Sequence, residues 1–299
     1  MQRIEHRFTA MGGPCHFSLD HPDGDQATIA IQAAESEVRR LEQKYSRYLQ
    51  ESVTSELNRA AGGGTASPID PETFGILQYA DTLWRESDGL FDLTSGILRR
   101  AWDFKGQHLP SEEQLAQLLP LIGWDKVQWD EESAYLPQPG MELDFGGCVK
   151  EYASDSAANI LRENGIAQAL VNLAGDITAV GRPHLLEAWS IGIQHPQQSD
   201  GAIAEVTLHN AALASSGDYQ RCLEINGRRY GHILNPKTGW PSAGLVAVSI
   251  IAEQCLVAGS SATIAMLKPE ADALTWLSEL GLPWLAIDAQ LRCHGSLAE

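Results

Sequence analysis

The feature of this chain best placed to do chemistry is a lysine that follows two glycines. Residues 141–150 read Met-Glu-Leu-Asp-Phe-Gly-Gly-Cys-Val-Lys. Gly146 and Gly147 carry no Cβ, so backbone there can come close to a ligand. Behind them Val149, Ala153, Ala157, Ile160 and Leu161 recur at helical spacing, and Asn164-Gly165 supplies a stop before an apolar run at 169–173. Lys150 therefore falls in the first helical turn, where an ammonium beside free backbone N–H groups makes a seat for phosphate. The spacing is neither the P-loop nor the dinucleotide fingerprint. A plain strand–turn–helix connection with a solvated lysine remains the alternative.

Other residues could assist. Arg221, His232, Lys237 and Thr238 gather donors and positive charge in one short region of an acidic protein, which suits an anion. A histidine ahead of an Asn-Pro turn also fits a purely structural role. Asp92, two residues before Thr94, reads as a helix N-cap or as a carboxylate for a ligand hydroxyl. Tyr48 could stack on an aromatic ligand or cover the core, and composition alone favours the core. Met11, at a Gly-Gly-Pro bend, reads as packing.

The elements that must hold these residues follow from periodicity. Residues 3–19 read as two short strands broken by the glycine bend at 11–14. Helices are predicted over 27–48, 71–87 and 257–267, and over 111–121, where Ser111 and Gln114 form a capping signature. A strand pair is predicted over 124–136, strands at 178–180, 189–193, 203–208 and 246–252, and a helix–strand end piece over 276–287.

The sequence has 299 residues, 43% hydrophobic and 20% charged, with a formal net charge of −18. Such a chain can bury a sizeable core. Its acidity argues against nucleic acid and anionic membrane, which require a basic footprint, and an anionic ligand would need a local cluster of Lys, Arg or metal. The N-terminal residues carry early charges without an apolar run, unlike a signal peptide, and no later run is long enough for a membrane span. Five widely spaced cysteines without a CxxC pair suit reduced thiols in the cytoplasm. Had an export signal been removed, the expected location would be the periplasm.

Taken in order, several segments resemble the ApbE family of FAD:protein FMN transferases. They are Met11-Gly12; Ser46-Arg47-Tyr48 with Ser52 and Leu57-Asn58; Gly89-Leu90-Phe91-Asp92-Leu93-Thr94; Asp144-Phe145-Gly146-Gly147 with Lys150, Tyr152 and Asp155; Val171-Asn172-Leu173-Ala174-Gly175-Asp176; Ser216-Gly217-Asp218-Tyr219; and residues 232–239, His-Ile-Leu-Asn-Pro-Lys-Thr-Gly. The resemblance implies an α+β fold, one elaborated ApbE-like domain over residues 1–299 with mixed β-sheets and packed helices. It implies transfer of FMN from FAD to a threonine or serine hydroxyl of an acceptor protein, with release of AMP and the help of Mg²⁺. By similarity Met11, Tyr48, Leu90, Phe91 and Asp92 hold flavin or adenosine parts. Asp144 and Lys150 serve the ribityl and pyrophosphate region, and His232, with Ile233 after it, lies beside the pyrophosphate as base or donor. Gly147, through its carbonyl, and Thr263, through its hydroxyl, hold Mg²⁺.

The chain departs from the family pattern at three places. Gly259 stands where the family has an aspartate ligand to the metal, Glu151 replaces the glycine after the lysine, and Asn235 replaces an aspartate. Without that carboxylate, two alternatives stand beside transfer: a protein that binds FAD with weak or lost transfer, and an FAD pyrophosphatase. The departure also leads one to expect that restoring the carboxylate by Gly259→Asp would tighten Mg²⁺, with Ser260 or Ser261 as stand-in donors until then.

Overall fold

The computed structural model describes every residue except Gln107, Ser199, Asp200, Tyr219, Gln220, Arg221 and Glu299. Tyr219 of the family segment and Arg221 of the cationic group thus lie outside the described residues. The fold is α+β. Its centre is an eight-stranded antiparallel sheet whose spatial order is its chain order: β1 (Gln2–Ala10), β2 (Gly13–His21), β3 (Ala169–Leu173), β4 (Asp176–Val180), β5 (Ala212–Gly217), β6 (Ala247–Ala252), β7 (Trp284–Ile287) and β8 (Cys293–His294). The opening segment is one long hairpin rather than two broken strands. Met11 and Gly12 take φ of 53° and 75°, as a two-residue hairpin turn of the right twist requires.

Seven α-helices occur among the described residues: α1 (Gly24–Tyr45), α2 (Val53–Arg59), α3 (Pro71–Glu86), α4 (Glu112–Leu118), α5 (Val149–Glu163), α6 (Cys255–Leu267) and α7 (Glu270–Glu279). α1 buries Ala27, Ala30, Ile31, Ala34, Val38, Leu41 and Tyr45, one stripe at helical spacing. Ala153, Ala157 and Leu161 of α5 join that stripe in one core with Phe17, Leu19, Val171 and Leu173 of the sheet. α6 packs on β5 and β6 through Ala258, Ala262 and Ala265, small residues that bring its backbone near the sheet. On β5, Ala212 and Ala214 face α6, whereas Leu213 joins a second core under the hairpin of Trp189–Gln194 and Ala202–Leu208. That alternation is the period-two signature of a strand covered on both faces.

α4 starts at the predicted capping box, Ser111 with Gln114. Within 124–136, Trp124–Lys126 is a short 3-10 turn, and Gln128–Trp129 and Ser133–Tyr135 form the predicted pair, to which Ser67–Pro68 adds a third strand. The approach at 141–145 is extended but belongs to none of the sheets. Its peptides are instead paired by Asn58, whose amide donates to the Leu143 carbonyl at 3.0 Å and accepts from Leu143 N–H at 2.6 Å, and by Leu93, whose carbonyl takes Asp144 N–H at 2.9 Å. These bonds satisfy the backbone and fix where Gly146 and Gly147 emerge.

Candidate functional site

The site is assembled where α5 begins. α5 has no side-chain cap at Cys148, and Glu151 is the one acidic residue in its first turn, where the helix carries its positive end. Lys150 is not the solvated lysine of the plain alternative. Its ammonium lies 2.8 Å from Oδ2 of Asp176, a carboxylate only 2% exposed at the first position of β4. Gly13 sits against Ala174 in the turn before β4, so the Met11-Gly12 hairpin tip borders the same corner. Met11 N–H donates to Glu42 at 2.6 Å, which fixes the tip. Asp176 was legible in the quoted Val171–Asp176 segment, yet sequence reasoning gave it no role.

Asp144 pairs with Arg47 through one oxygen, while its other oxygen accepts Gly146 N–H at 3.0 Å. Arg47 in turn lies over the Tyr48 ring, 5.1 Å from guanidinium carbon to ring centroid, and donates to the Tyr48 hydroxyl at 3.1 Å. Tyr48 is 78% exposed, so the core placement favoured by composition is overturned. An aromatic face this open and braced from beneath can stack on a planar ligand. Arg47, unassigned in the sequence reading beyond its segment, is the brace.

The Gly89–Thr94 segment is anchored in the protein interior. Phe91 is buried, and a Cβ on Gly147 would come within 3.2 Å of its ring, so Phe91 supports the glycine backbone from behind. Both oxygens of Asp92 are committed inside the protein: one accepts the N–H and hydroxyl of Thr94, the other Trp124 N–H at 2.9 Å. Burial raises its pKa, and those bonds hold it down in part. Asp92 is thus a cap, and any ligand contact at Leu90, Phe91 or Asp92 falls to Leu90, which is partly exposed, and to the backbone.

His232 and Ile233 follow the short hairpin of Cys222–Ile225 and Arg228–Gly231. A Cβ on Gly231 would meet Asp218, two residues beyond Ser216, whose hydroxyl is 3.5 Å from that of Thr263. His232 thereby leaves the hairpin close to the Thr263 end of the site. The following turn bends at Asn235, whose side chain accepts Lys237 N–H at 2.8 Å, so asparagine shapes it as aspartate would. Lys237 is not an anion ligand in this arrangement: its ammonium donates to the Asp88 carbonyl at 2.6 Å and ties the turn to the Gly89 segment.

α6 is positioned by α5. Asp155 accepts the N–H groups of Cys255 at 2.8 Å and Leu256 at 2.9 Å and so caps a helix that has no side-chain cap from its own N-cap residue. This docking aims Gly259 and Thr263, one turn apart, toward the start of α5. A Cβ on Gly259 would lie 2.5 Å from Cγ and 2.9 Å from Oε1 of Glu151. Glu151 thus fills the space that a side chain at 259 would occupy. Burial first, and then the charge of Asp176, drives its carboxyl well above the ordinary glutamate range. Ser260 is no stand-in donor, because its hydroxyl is engaged with Leu256 carbonyl and with the Tyr79 hydroxyl, each at 2.7 Å.

The donor set fits a hard divalent cation. Glu151 Oε2 is buried and meets no hydrogen-bond partner among the described residues, and the Thr263 hydroxyl stands on the same face as the gap at Gly259. Asp176 and Asp144 already balance the cations Lys150 and Arg47, so an anionic phosphate ligand would need added positive charge to settle here. No cluster of three or more His, Cys, Asp or Glu of metal-holding geometry occurs among the described residues, which leaves carbonyl, hydroxyl and phosphate oxygens to complete the shell. A cavity of about 370 Å³ lined by Ile76, Tyr79, Val149, Tyr152 and Leu256 contains none of the predicted site residues.

Against known proteins, the family model described as "ApbE family" matches residues 11–285. The chain belongs to the ApbE family. It is 31% identical over 236 residues to the FAD:protein FMN transferase of Klebsiella pneumoniae (strain 342), covering 77% of this chain and 71% of that one. With the enzyme of the same name from Chlamydia muridarum it shares 32% identity over 234 residues, 74% and 72% of the two chains. Among solved structures, the ApbE protein of Thermotoga maritima superposes with a TM-score of 0.89 at 28% identity, covering 99% and 97% of the two chains. The apo flavinyl transferase ApbE of Pseudomonas stutzeri, at 24% identity and a TM-score of 0.87, shares the fold over 99% and 95%. The ApbE fold is therefore shared nearly end to end. No helix among the described residues is long and apolar enough to cross a membrane, and all five cysteines are free thiols.

Proposed function

We propose that this ApbE-family chain is an FAD:protein FMN transferase that moves FMN from FAD to a serine or threonine hydroxyl of an acceptor protein and releases AMP. The observation that carries the reading is Lys150 in the first turn of α5, held against the buried Asp176 carboxylate where the helix has no side-chain cap at Cys148. In this reading Tyr48 and the Met11 tip take the rings, Asp144 takes ribityl hydroxyls, and Lys150 with the α5 N–H groups takes the pyrophosphate. The acceptor oxygen forms a bond to the FMN phosphorus while the bond from that phosphorus to the bridging oxygen breaks, so AMP leaves with the bridging oxygen. His232 accepts the hydroxyl proton, or donates to the charge that builds on the phosphoryl oxygens. Mg²⁺, held by Gly147, Thr263 and the phosphates, would supply positive charge for that step.

The test is incubation of the purified chain with FAD, Mg²⁺ and a threonine-bearing acceptor domain, read as flavin fluorescence on the denatured acceptor. Fluorescent acceptor supports transfer. AMP without labelled acceptor replaces the reading with FAD hydrolysis, and intact bound FAD without either product replaces it with binding alone.

A further inference from the structure

The two departures at Glu151 and Gly259 occupy one place in space. α5 and α6 face each other there, and a side chain can enter from either helix but not from both: a Cβ on Gly259 would stand 2.5 Å from Glu151 Cγ and 3.0 Å from its Cδ. The Glu151 side chain is 7% exposed, and its Oε2 meets no hydrogen-bond partner among the described residues. A buried carboxylate oxygen without a donor is costly to keep unless something positive sits against it. The Lys150 ammonium is engaged with Asp176, whose carboxyl itself lies beside Glu151, so one positive charge is shared between two buried carboxyls. Thr263, one helical turn beyond Gly259, sets a hydroxyl on the same face of α6, and Ser216 sets a second hydroxyl 3.5 Å from it. Carboxylate, hydroxyls and phosphate oxygens are the ligand chemistry of a small hard divalent cation.

We infer that Glu151, entering from α5 into the space left by Gly259, is the anionic protein ligand of a divalent-cation site shared with Thr263. The carboxylate has moved from one helix to the other, and the cation keeps a charged protein ligand. The inference rests on the flavin-transfer reading for the presence of a cation at this corner. It reverses the expectation that Gly259→Asp would tighten Mg²⁺, because the added side chain collides with the carboxylate already there.

The test is direct binding of Mn²⁺, a probe for the Mg²⁺ site, followed by loss of the free-ion electron paramagnetic resonance signal in the full chain without and with FAD. Glu151→Gln keeps the shape and removes the charge, and it should weaken Mn²⁺ by about tenfold or more. Gly259→Ala and Gly259→Asp should each weaken it too, by displacing Glu151. The double variant Glu151→Gly with Gly259→Asp should recover Mn²⁺ binding lost in either single change, since one carboxylate then enters from the other helix. Circular dichroism confirms that each variant is folded, and the double variant decides the matter if a single one is not. Unchanged Mn²⁺ affinity in Glu151→Gln, or a double variant no better than Gly259→Asp, overturns the inference. FAD binding to the unaltered chain is measured in parallel by flavin fluorescence. Failure there removes the transferase reading while leaving the Mn²⁺ result to decide the role of Glu151.

Discussion

Asp155→Ala should loosen α6, and with it Gly259 and Thr263. The carboxylate accepts two backbone N–H groups, Cys255 at 2.8 Å and Leu256 at 2.9 Å, at the start of a helix with no other side-chain cap. Loss of an N-cap costs about 1 kcal/mol and up to about 2. Here the two N–H groups are at an interface between helices, and each left unpaired adds on the order of 1 kcal/mol. Burial raises the pKa of Asp155, a sign that the carboxylate's own desolvation offsets part of that gain. The expected net loss is about 3 kcal/mol for Asp155→Ala. Asp155→Asn keeps one acceptor and should lose roughly half as much. Urea unfolding measures both free energies, and thermal melting should show a fall of roughly 6 °C for the alanine variant, from ~2 °C per kcal/mol in a chain of this size. If Asp155→Ala costs under about 1 kcal/mol, or asparagine costs as much as alanine, the capping bonds are not what docks α6.

Three further outcomes follow from the same geometry. Tyr48→Ala should weaken FAD binding by on the order of 1 kcal/mol beyond lost contact area, with little change in melting temperature because the ring is 78% exposed; flavin fluorescence titration measures the first and a thermal melt the second. His232→Ala should retain FAD while losing most transfer, so equal losses of binding and of AMP release would remove it from the proton-transfer role. Glu72 is held from an ordinary 4.5 down to about 2, by its bonds to Arg40 and then Lys44 against the cost of burial. A depressed carboxylate stabilises the fold above its unfolded pKa and loses that contribution as pH falls from about 4.5 toward about 2. Glu72→Gln should flatten the stability-versus-pH curve in that window, as acid titration of the unfolding midpoint would show.

Much of the scaffold was legible because periodicity and caps are local. The stripe on α1, the Ser111 capping box and the Asn164-Gly165 stop after α5 each announce themselves within one element. The misses came from pairings between distant segments. No strand is predicted over β5, whose Ser215 faces Ser249 of β6, hydroxyl to hydroxyl at 2.7 Å, and only the partner strand makes that polarity intelligible. The hairpin ending at Gly231 carried a local signal that went unread, the Asn226-Gly227 pair with φ of 53° and 71°. At the site, the sequence names candidate residues but not what their side chains are committed to. Lys150, Asp92 and Lys237 all have partners far away in sequence or in another element, and Tyr48 is exposed where composition suggested burial. The exchange between Glu151 and Gly259 was invisible for the same reason, since 108 positions in the chain separate two atoms that would touch.

The central claim is that FAD cleavage and protein labelling are one reaction. It is tested most directly by measuring, in one reaction mixture, the AMP released and the flavin covalently attached to the acceptor. Transfer predicts that the two rise together in equal amounts and that both require the acceptor hydroxyl. AMP formed at the same rate after that hydroxyl is removed would contradict the account, because water, and not the acceptor, would then be the group that attacks the phosphorus.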